Sequence, residues 1–286
     1  MTHRVIAKLD IKGPNLVKGI HLEGLRVLGN PEDFAEFYYV NGIDELIYQD
    51  VVASLFERNS LTEVISRTAS GNFIPLTVGG GLRSVDDIRS VLRAGADKVS
   101  LNTAAIRDPN LIRDAAHEFG ASTVVIAIEA ILRDNGEYFA YIDNGREETG
   151  VEVTSWARKA QKLGAGEILL TSVDRDGTGT GLDLDLISCV AAEVSIPVIA
   201  HGGAGMVSDI SDGITAGADA VALASMLHYG VLETHFFEPR FNPEDGNQEF
   251  LLKKSRPTKM TIASIQEVKS HLYEAGYDCR YPIDDK

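Results

Sequence analysis

The stretch Ile74–Gly81, with the sequence IPLTVGGG, recurs 122 residues later as IPVIAHGG at Ile196–Gly203. At the same offset AGADKVSL at Ala94–Leu101 matches AGADAVAL at Ala216–Leu223, and residues 42–51 align with residues 164–173. Three blocks at one offset are not expected by chance. The sequence therefore predicts a chain made of two similar halves.

Each half contains four short apolar segments separated by amphipathic ones. The apolar segments are rich in Val, Ile and Leu, which is typical of buried parallel strands. They lie near residues 5–9, 46–51, 74–78, 98–101, 123–128, 167–173, 196–200 and 219–223. Helices are predicted between them, for example at Ser84–Ala94 and Val151–Leu163.

Eight strand–helix units predict an α/β fold, a single (β/α)8 TIM barrel over residues 1–286 built from two half-barrel repeats. A doubly wound open sheet is the alternative, but a half-repeat of four units favours a closed ring. The pattern breaks at about 231–260, a polar segment without a clear period. That segment is open to interpretation as a lid, an oligomer contact or a loose loop. A final helix is predicted at Ile262–Ala275.

Composition narrows the class of protein. The chain has 286 residues, a net charge of −15 and a mean hydropathy of −0.03. The acidic balance argues against a nucleic-acid partner, and no apolar run approaches the roughly 18 residues needed to cross a membrane. The first ten residues are strand-like and include an acid, unlike a signal peptide. A cytoplasmic protein is therefore expected.

Metal and cofactor signals are weak. Cys189 and Cys279 lie in unrelated contexts, and His201 and His228 have no metal-ligand spacing, so a metal-free site without a cofactor is expected. Trp156 falls within a helical period and is interpreted as a packing residue.

Acids follow several predicted strands. Asp10 ends the first strand, Asp50 the second and Glu129 the fifth, while the sixth is followed by Asp174–Thr178. Because a barrel places its chemistry at these strand ends, such acids are candidates for general acid–base catalysis. Each could equally cap a turn or a helix. Asp10 and Glu129 occupy matching places in the two halves, which favours a catalytic pair.

Two glycine clusters directly follow predicted strands. In each half, the strand after the cluster is followed by a pair of polar or small residues that completes the group. Their members are Gly80, Gly81, Asn102 and Thr103 in the first half, and Gly202, Gly203, Ala224 and Ser225 in the second. A single glycine turn usually means tight packing. Two clusters, whose backbone N–H groups can surround an anion, predict two phosphate sites and a long bis-phosphate substrate laid across the mouth.

Four charged residues fall at or near strand starts, at the opposite end of the barrel: Arg4, Glu45, Lys98 and Glu167. Charges at this end are costly unless they are paired. The sequence leaves two interpretations open, a structural salt-bridge ring and a polar ring that lets a small molecule pass along the axis.

Together these residues resemble the cyclase subunit of imidazole glycerol phosphate synthase, an enzyme of histidine biosynthesis. The resemblance covers about residues 3–230. Its most specific strings are Leu9–Asp10, Val17–Gly19, Pro75–Gly81, Val99–Ala105, Gly166–Ser172 and Asp174–Thr178.

The resemblance implies a specific reaction. Ammonia made by a glutaminase subunit, docked at the N-terminal face of the barrel, passes through the barrel. It closes an imidazole ring on phosphoribulosyl-formimino-aminoimidazole carboxamide ribonucleotide, giving imidazole glycerol phosphate and aminoimidazole carboxamide ribotide.

The resemblance also implies roles for individual residues. Asp10 matches the catalytic acid on strand 1, and Glu129 stands at the second catalytic position, on strand 5. The four charged residues match a gate for ammonia. The implied substrate-binding residues, besides the two glycine clusters, are Lys18, Thr171, Asp176 and Gly177.

Departures from the family pattern keep other functions open. Glu129 replaces an aspartate, Lys8 stands where a cysteine is usual, and His201 stands where a serine is usual. The segment 231–260 is also foreign to the pattern. One alternative is a paralogous ammonia-channelling subunit of an amidotransferase that modifies a surface-polysaccharide sugar. A non-catalytic ligand-binding subunit is a further alternative, which the retained acids disfavour.

Overall fold

The computed structural model describes residues 2–52, 61–233 and 260–280. Its strands are β1 (Arg4–Lys12), β2 (Asn15–Ile20), β3 (Glu23–Gly29), β4 (Glu45–Asp50), β5 (Leu76–Gly79), β6 (Lys98–Leu101), β7 (Val124–Leu132), β8 (Tyr138–Ile142), β9 (Glu147–Glu152), β10 (Glu167–Ser172), β11 (Val198–His201) and β12 (Ala220–Leu223). Its helices are α1 (Pro31–Val40), α2 (Thr62–Gly71), α3 (Val85–Arg93), α4 (Thr103–Arg107), α5 (Asn110–Phe119), α6 (Val153–Leu163), α7 (Leu184–Ala191), α8 (Val207–Thr215), α9 (Ser225–Glu233) and α10 (Ile265–Glu274).

Eight of the strands close into a parallel barrel in the order β1, β4, β5, β6, β7, β10, β11, β12. The ring closes where β12 pairs with β1, with Arg4 opposite Ala220. Because every barrel strand has a parallel neighbour on both sides, the open-sheet alternative is excluded. The predicted (β/α)8 TIM barrel is confirmed.

The two halves also share a feature that the sequence did not reveal. Antiparallel hairpins, β2–β3 and β8–β9, follow the first strand of each half. Their turns hold His21 and Leu22 at φ of 54° and 60°, and Asp143 and Asn144 at 52° and 61°. Positive φ is uncommon for residues other than glycine. The same rare conformation 122 residues apart extends the half-barrel repeat to the turns.

Side chains alternate along each strand between two apolar layers. On β1, Val5, Ala7 and Leu9 pack outward against the helices, whereas Ile6 belongs to a layer inside the barrel. Other members of the inner layer are Ile47, Val125, Ala127, Leu169, Ile199, Ala220 and Ala222. Trp156 is buried in the outer layer, as predicted.

Capping side chains set the helix ends. Ser84 and Asp87 form a capping box at α3, which confirms the prediction for 84–94. Helix α6 begins two residues later than predicted, because β9 extends to Glu152, whose carboxylate then caps the helix. Within the described ranges no helix has the length and apolar character that crossing a membrane requires.

The C-terminal part differs in detail from the prediction. Residues 231–233 continue α9, so the helix ends three residues inside the segment predicted at about 231–260. Residues 234–259 lie outside the described residues. The final helix begins at Ile265 rather than Ile262, since Ser264 forms its capping box with Glu267. It contacts α8 through a hydrogen bond of 3.0 Å between His271 and Ser211.

Candidate active site

The strand register brings the polar side chains together inside the C-terminal mouth of the barrel. Asp10 lies opposite Gln49 on β4, Glu129 lies opposite Thr171 on β10, and Thr171 lies opposite His201 on β11. The two acids that the sequence matched across the halves therefore stand in one mouth. A ligand bound in the mouth would therefore lie close to both carboxyl groups.

Asp10 is a buried carboxylate held by two lysines. Lys8, two residues earlier on the same face of β1, donates to Oδ1, and Lys18 Nζ lies 3.7 Å from Oδ2. Burial alone would raise the pKa of Asp10, but the charges of Lys8 and Lys18 outweigh it and lower the pKa to about 2. Asp10 is therefore ionised at neutral pH and can accept a proton.

Lys18 is fixed by a second acid. Its Nζ donates to both carboxylate oxygens of Asp176, at 2.8 and 3.0 Å. The backbone N–H groups of His21 and Leu22 donate to the carbonyl and carboxylate of the same residue, at 2.8 and 3.3 Å. Burial favours the neutral form of Asp176, yet Lys18 lowers its pKa. The β2–β3 hairpin is thereby tied to the loop after β10.

Glu129 is in a different electrostatic state. Its Oε2 accepts a hydrogen bond of 2.7 Å from the backbone N–H of Gly145, in the turn of the second hairpin. Enclosure in the mouth raises its pKa to about 7, and the Gly145 N–H and the charge of Lys8 only partly oppose that rise. Glu129 thus keeps a proton up to neutral pH. Below a pH of about 7 the pair therefore holds one carboxylate and one carboxylic acid.

The first glycine cluster lines a cavity of about 240 Å³ that also reaches Glu129. Gly80, Gly81, Asn102 and Thr103 all face it, as the sequence predicted for one site. The lining residues that the sequence reasoning missed include Gln49, Arg83, Arg107 and Asn144. Arg83 follows Gly81 by two residues, so a search for cations beside the glycine loop would have found it.

The second glycine cluster lines a smaller cavity of about 20 Å³. Its lining includes the predicted residues Lys18, Asp176, Gly177, Gly202, Gly203, Ala224 and Ser225. Met260, from the end of the segment predicted to be irregular, lines it as well and is buried. Thr171 lines neither cavity, since it is buried between Glu129 and His201 in the strand register.

Gly80 has a backbone that only glycine adopts easily. Its φ is +99°, and an added Cβ would lie 2.2 Å from the carbonyl oxygen of Asp50. We expect Gly80→Ala to lower the free energy of unfolding by about 1–3 kcal/mol or more, because strain and a backbone clash add. Chemical denaturation measures this change in the free energy of unfolding. Gly136→Ala is the matched control, with φ +81° and nothing within 4 Å; an equal loss in both variants would contradict the steric argument.

His201 was a weak signal in the sequence and occupies a central place in the structure. Its Nδ1 lies 2.9 Å from the carbonyl oxygen of Ala222, and its Nε2 lies 3.6 Å from Asp176 Oδ1 in the lining of the second cavity. Burial lowers its pKa to about 4, so the ring is neutral. His228, in contrast, bonds Tyr38 Oη at 2.6 Å and the Lys8 carbonyl at 3.0 Å, as a structural side chain does.

The other acids at strand ends make hydrogen bonds to the backbone. Asp174 accepts from the backbone N–H of Leu132 at 2.8 Å and so ties the end of β7 to the loop after β10. Asp50 accepts from the backbone N–H of Val52 at 3.0 Å, although it also lines the first cavity. Across the described ranges, no three His, Cys, Asp or Glu side chains form a group able to hold a metal ion.

The charged residues at the other end form a closed ring of alternating sign. Each is the first residue of its strand: Arg4, Glu45, Lys98 and Glu167. Arg4 bridges the two glutamates at 2.7 and 2.8 Å, and Lys98 bridges them at 3.2 and 2.9 Å. The inner apolar layer separates this ring from Asp10 and Glu129 at the mouth.

Comparison with known proteins agrees with this arrangement. Residues 4–233 match the family described as "Histidine biosynthesis protein". A protein of Legionella pneumophila named imidazole glycerol phosphate synthase subunit HisF is 58% identical over 208 residues, which is 73% of this chain and 98% of that protein. Proteins of the same name from Lactococcus lactis subsp. cremoris (strain SK11) and Bifidobacterium adolescentis are each 50% identical, over 80% and 79% of this chain and 90% and 91% of theirs. The chain belongs to the histidine biosynthesis protein family.

Proposed function

We infer that this chain is the cyclase subunit of imidazole glycerol phosphate synthase. It uses ammonia to convert phosphoribulosyl-formimino-aminoimidazole carboxamide ribonucleotide into imidazole glycerol phosphate and aminoimidazole carboxamide ribotide. The observation that carries the inference, beside the family, is the pair Asp10 and Glu129 in one mouth: the pKa of Asp10 is lowered to about 2 and that of Glu129 is raised to about 7.

The chemistry needs both states. A nitrogen that adds to a carbonyl carbon must lose protons, and the carbonyl oxygen must gain protons before it leaves as water. In our proposal the Asp10 carboxylate accepts a proton from the nitrogen and Glu129 donates one to the oxygen. A proton then passes from Asp10 to Glu129 and restores both groups for the second transfer, so that the nitrogen loses two protons and the oxygen leaves as water. Asp10 is buried and Glu129 is half-buried beside the first cavity, which limits the access of bulk water to both groups.

The two cavities account for a substrate with a phosphate at each end. We propose that Gly80, Gly81, Asn102 and Thr103 bind one phosphate. The second phosphate is bound by the cluster around Gly202 and Ser225, through backbone N–H groups. Lys18, held by Asp176, lies between Asp10 and the second cavity, where it binds the substrate beside the reacting centre.

A glutaminase partner follows from the need for ammonia. In our proposal it docks at the N-terminal face, and ammonia enters through the charged ring. Neutral ammonia can then cross the apolar layer beyond, which would exclude the hydrated ammonium ion because an isolated charge there is costly.

The ring can be tested separately from the chemistry. Lys98→Met removes one of the two cations that bridge Glu45 and Glu167. We expect glutamine-dependent turnover with the partner to fall by about tenfold, equivalent to about 1.4 kcal/mol, while turnover with free ammonium salt changes little. Lys162→Met, the same change on the exposed side of α6, is the control. An equal fall in both activities would show that the ring only stabilises the fold.

The deciding experiment is turnover of the formimino substrate by the chain alone with free ammonium salt, followed by loss of substrate absorbance. Free ammonia removes the need for the partner. Turnover under these conditions supports the inference that the chain is the cyclase subunit. Tight binding of the substrate without turnover would overturn it and favour the paralogue that supplies ammonia for modification of a surface sugar.

A further inference from the structure

Lys8 places a positive charge where the fold does not require one. It lies between Ile6 and Asp10 on the inner face of β1 and is 4% exposed. Its neighbour in the strand register is Ile47 of the inner apolar layer. A buried ion pair is weak support for stability, because the desolvation cost offsets the Coulomb attraction, and an apolar side chain of similar volume is often as stable. The charge therefore calls for an explanation beyond folding.

Lys8 is the cation most closely engaged with Asp10. Lys18, the second cation, is 3.7 Å from Asp10 but 2.8 Å from Asp176, with which it makes two hydrogen bonds. Lys8 instead donates directly to Oδ1 of Asp10. The orientation of this carboxylate, with one oxygen on each lysine, thus depends chiefly on Lys8.

The charge of Lys8 also acts across the barrel on Glu129. It opposes the rise in the pKa of Glu129 that enclosure causes, and it adds to the lowering of the pKa of His201 that burial causes. The titratable groups that interact with Lys8 are Asp10 on β1, Glu129 on β7, His201 on β11 and His228 on α9. Lys18 on β2 and Asp176 after β10 interact with the same Asp10 carboxylate. Lys8 influences both members of the acid pair.

We propose that Lys8 is a positioning residue of the reaction centre: it holds the Asp10 carboxylate ionised and oriented, and it sets the pH range in which Asp10 and Glu129 differ in protonation. The proposal rests on the roles given above to the two acids. It assigns Lys8 no contact with the reacting atoms.

The test compares variants that remove the charge with one that keeps it. Lys8→Met and Lys8→Gln are neutral, and the second retains a hydrogen-bond donor for Asp10; Lys8→Arg keeps the charge. The rate kcat/KM is measured with free ammonium salt from pH 5 to 10 and normalised to free ammonia. Lys162→Met serves as the control for the change in net charge.

We expect both neutral variants to move the fall of the profile near pH 7 upward by about one pH unit or more, because the charge of Lys8 lowers the pKa of Glu129. We also expect kcat to fall by about 10- to 100-fold in Lys8→Met, where the orientation of Asp10 is lost. Lys8→Arg should keep the parent profile. A lower rate with an unmoved fall near pH 7 in both neutral variants would overturn the proposal and leave Lys8 a structural residue.

A second measurement does not require turnover. The protonation of Glu129 can be followed by the infrared band of its carboxylic acid, assigned by its loss in Glu129→Gln. The midpoint should rise in Lys8→Met and Lys8→Gln relative to the parent. A midpoint that stays in place contradicts the proposal even if the parent proves inactive, whereas an inactive parent with a shifted midpoint counts against the proposed reaction alone.

Discussion

Asp10→Asn should lower kcat with free ammonium salt by about 100- to 10,000-fold, the range that a positioned acid or base contributes. The amide cannot accept the proton that the adding nitrogen must lose. Substrate binding should survive, because the glycine cavities and Lys18 remain. Stopped-flow or steady-state absorbance gives kcat, and calorimetry with the substrate gives Kd. Turnover close to that of the parent would remove Asp10 from the mechanism.

Loss of folding must be separated from loss of chemistry in this variant. Asp10→Asn leaves the buried Lys8 without its carboxylate, and breaking a buried pair from one side costs about 3–5 kcal/mol. The double variant Lys8→Met with Asp10→Asn removes both charges and should recover most of that stability. We expect it to have a Tm near that of the parent and still to be inactive. A stable and active double variant would assign the defect of the single variant to folding.

Much of the fold could be predicted from the sequence, because the information lies in local patterns. The repeat of Ile74–Gly81 at Ile196–Gly203 fixed the number of units, and the apolar runs placed all eight barrel strands within a few residues. The first hairpin was missed because the positive φ of its turn falls on His21 and Leu22 rather than on glycine. The second hairpin was missed although its turn contains Asn144 and Gly145, an Asn-Gly pair typical of hairpin turns. The predicted start of α6 was two residues too early, because Val151 and Glu152 pair with β8 in a register that only the folded chain defines.

For the candidate site, too, some features could be predicted from the sequence and others depend on the folded structure. Asp10, Glu129 and the glycine clusters follow strands directly, so position along the sequence identified them. Their protonation could not be predicted, because it depends on which distant groups meet. Asp176, 158 residues from Lys18, takes both hydrogen bonds of that lysine and leaves Lys8 as the closest partner of Asp10. Arg107 lines the first cavity for the same reason, since folding rather than sequence proximity brings it to the glycine loop.

Glu129→Gln should lower kcat by about 100-fold or more, since the amide cannot donate the proton that a departing oxygen requires. The side chain keeps its length, and its amide oxygen can still accept the hydrogen bond from Gly145 N–H, so the geometry of the mouth is preserved. In the parent, kcat/KM per free ammonia should fall as pH rises through about 7, where Glu129 loses its proton. In the variant the residual rate should lack that fall. A parent profile without a fall near pH 7 would exclude Glu129 as the acid.

The pH dependence of the free energy of unfolding is an independent check on the protonation state of Glu129. Its pKa is raised from 4.5 to about 7 in the folded chain, so the folded state binds the proton more tightly than the unfolded state does. The parent therefore loses stability as pH rises from about 4.5 through about 7, and the loss is complete above that value. Glu129→Gln is free of this loss. It should match the parent near pH 4 and exceed it at pH 8 by on the order of 1–3 kcal/mol. Denaturant titrations at the two pH values measure the difference. An equal gain in stability at both pH values would mean that Glu129 is ionised at both. The proton donor would then have to be another group in the mouth.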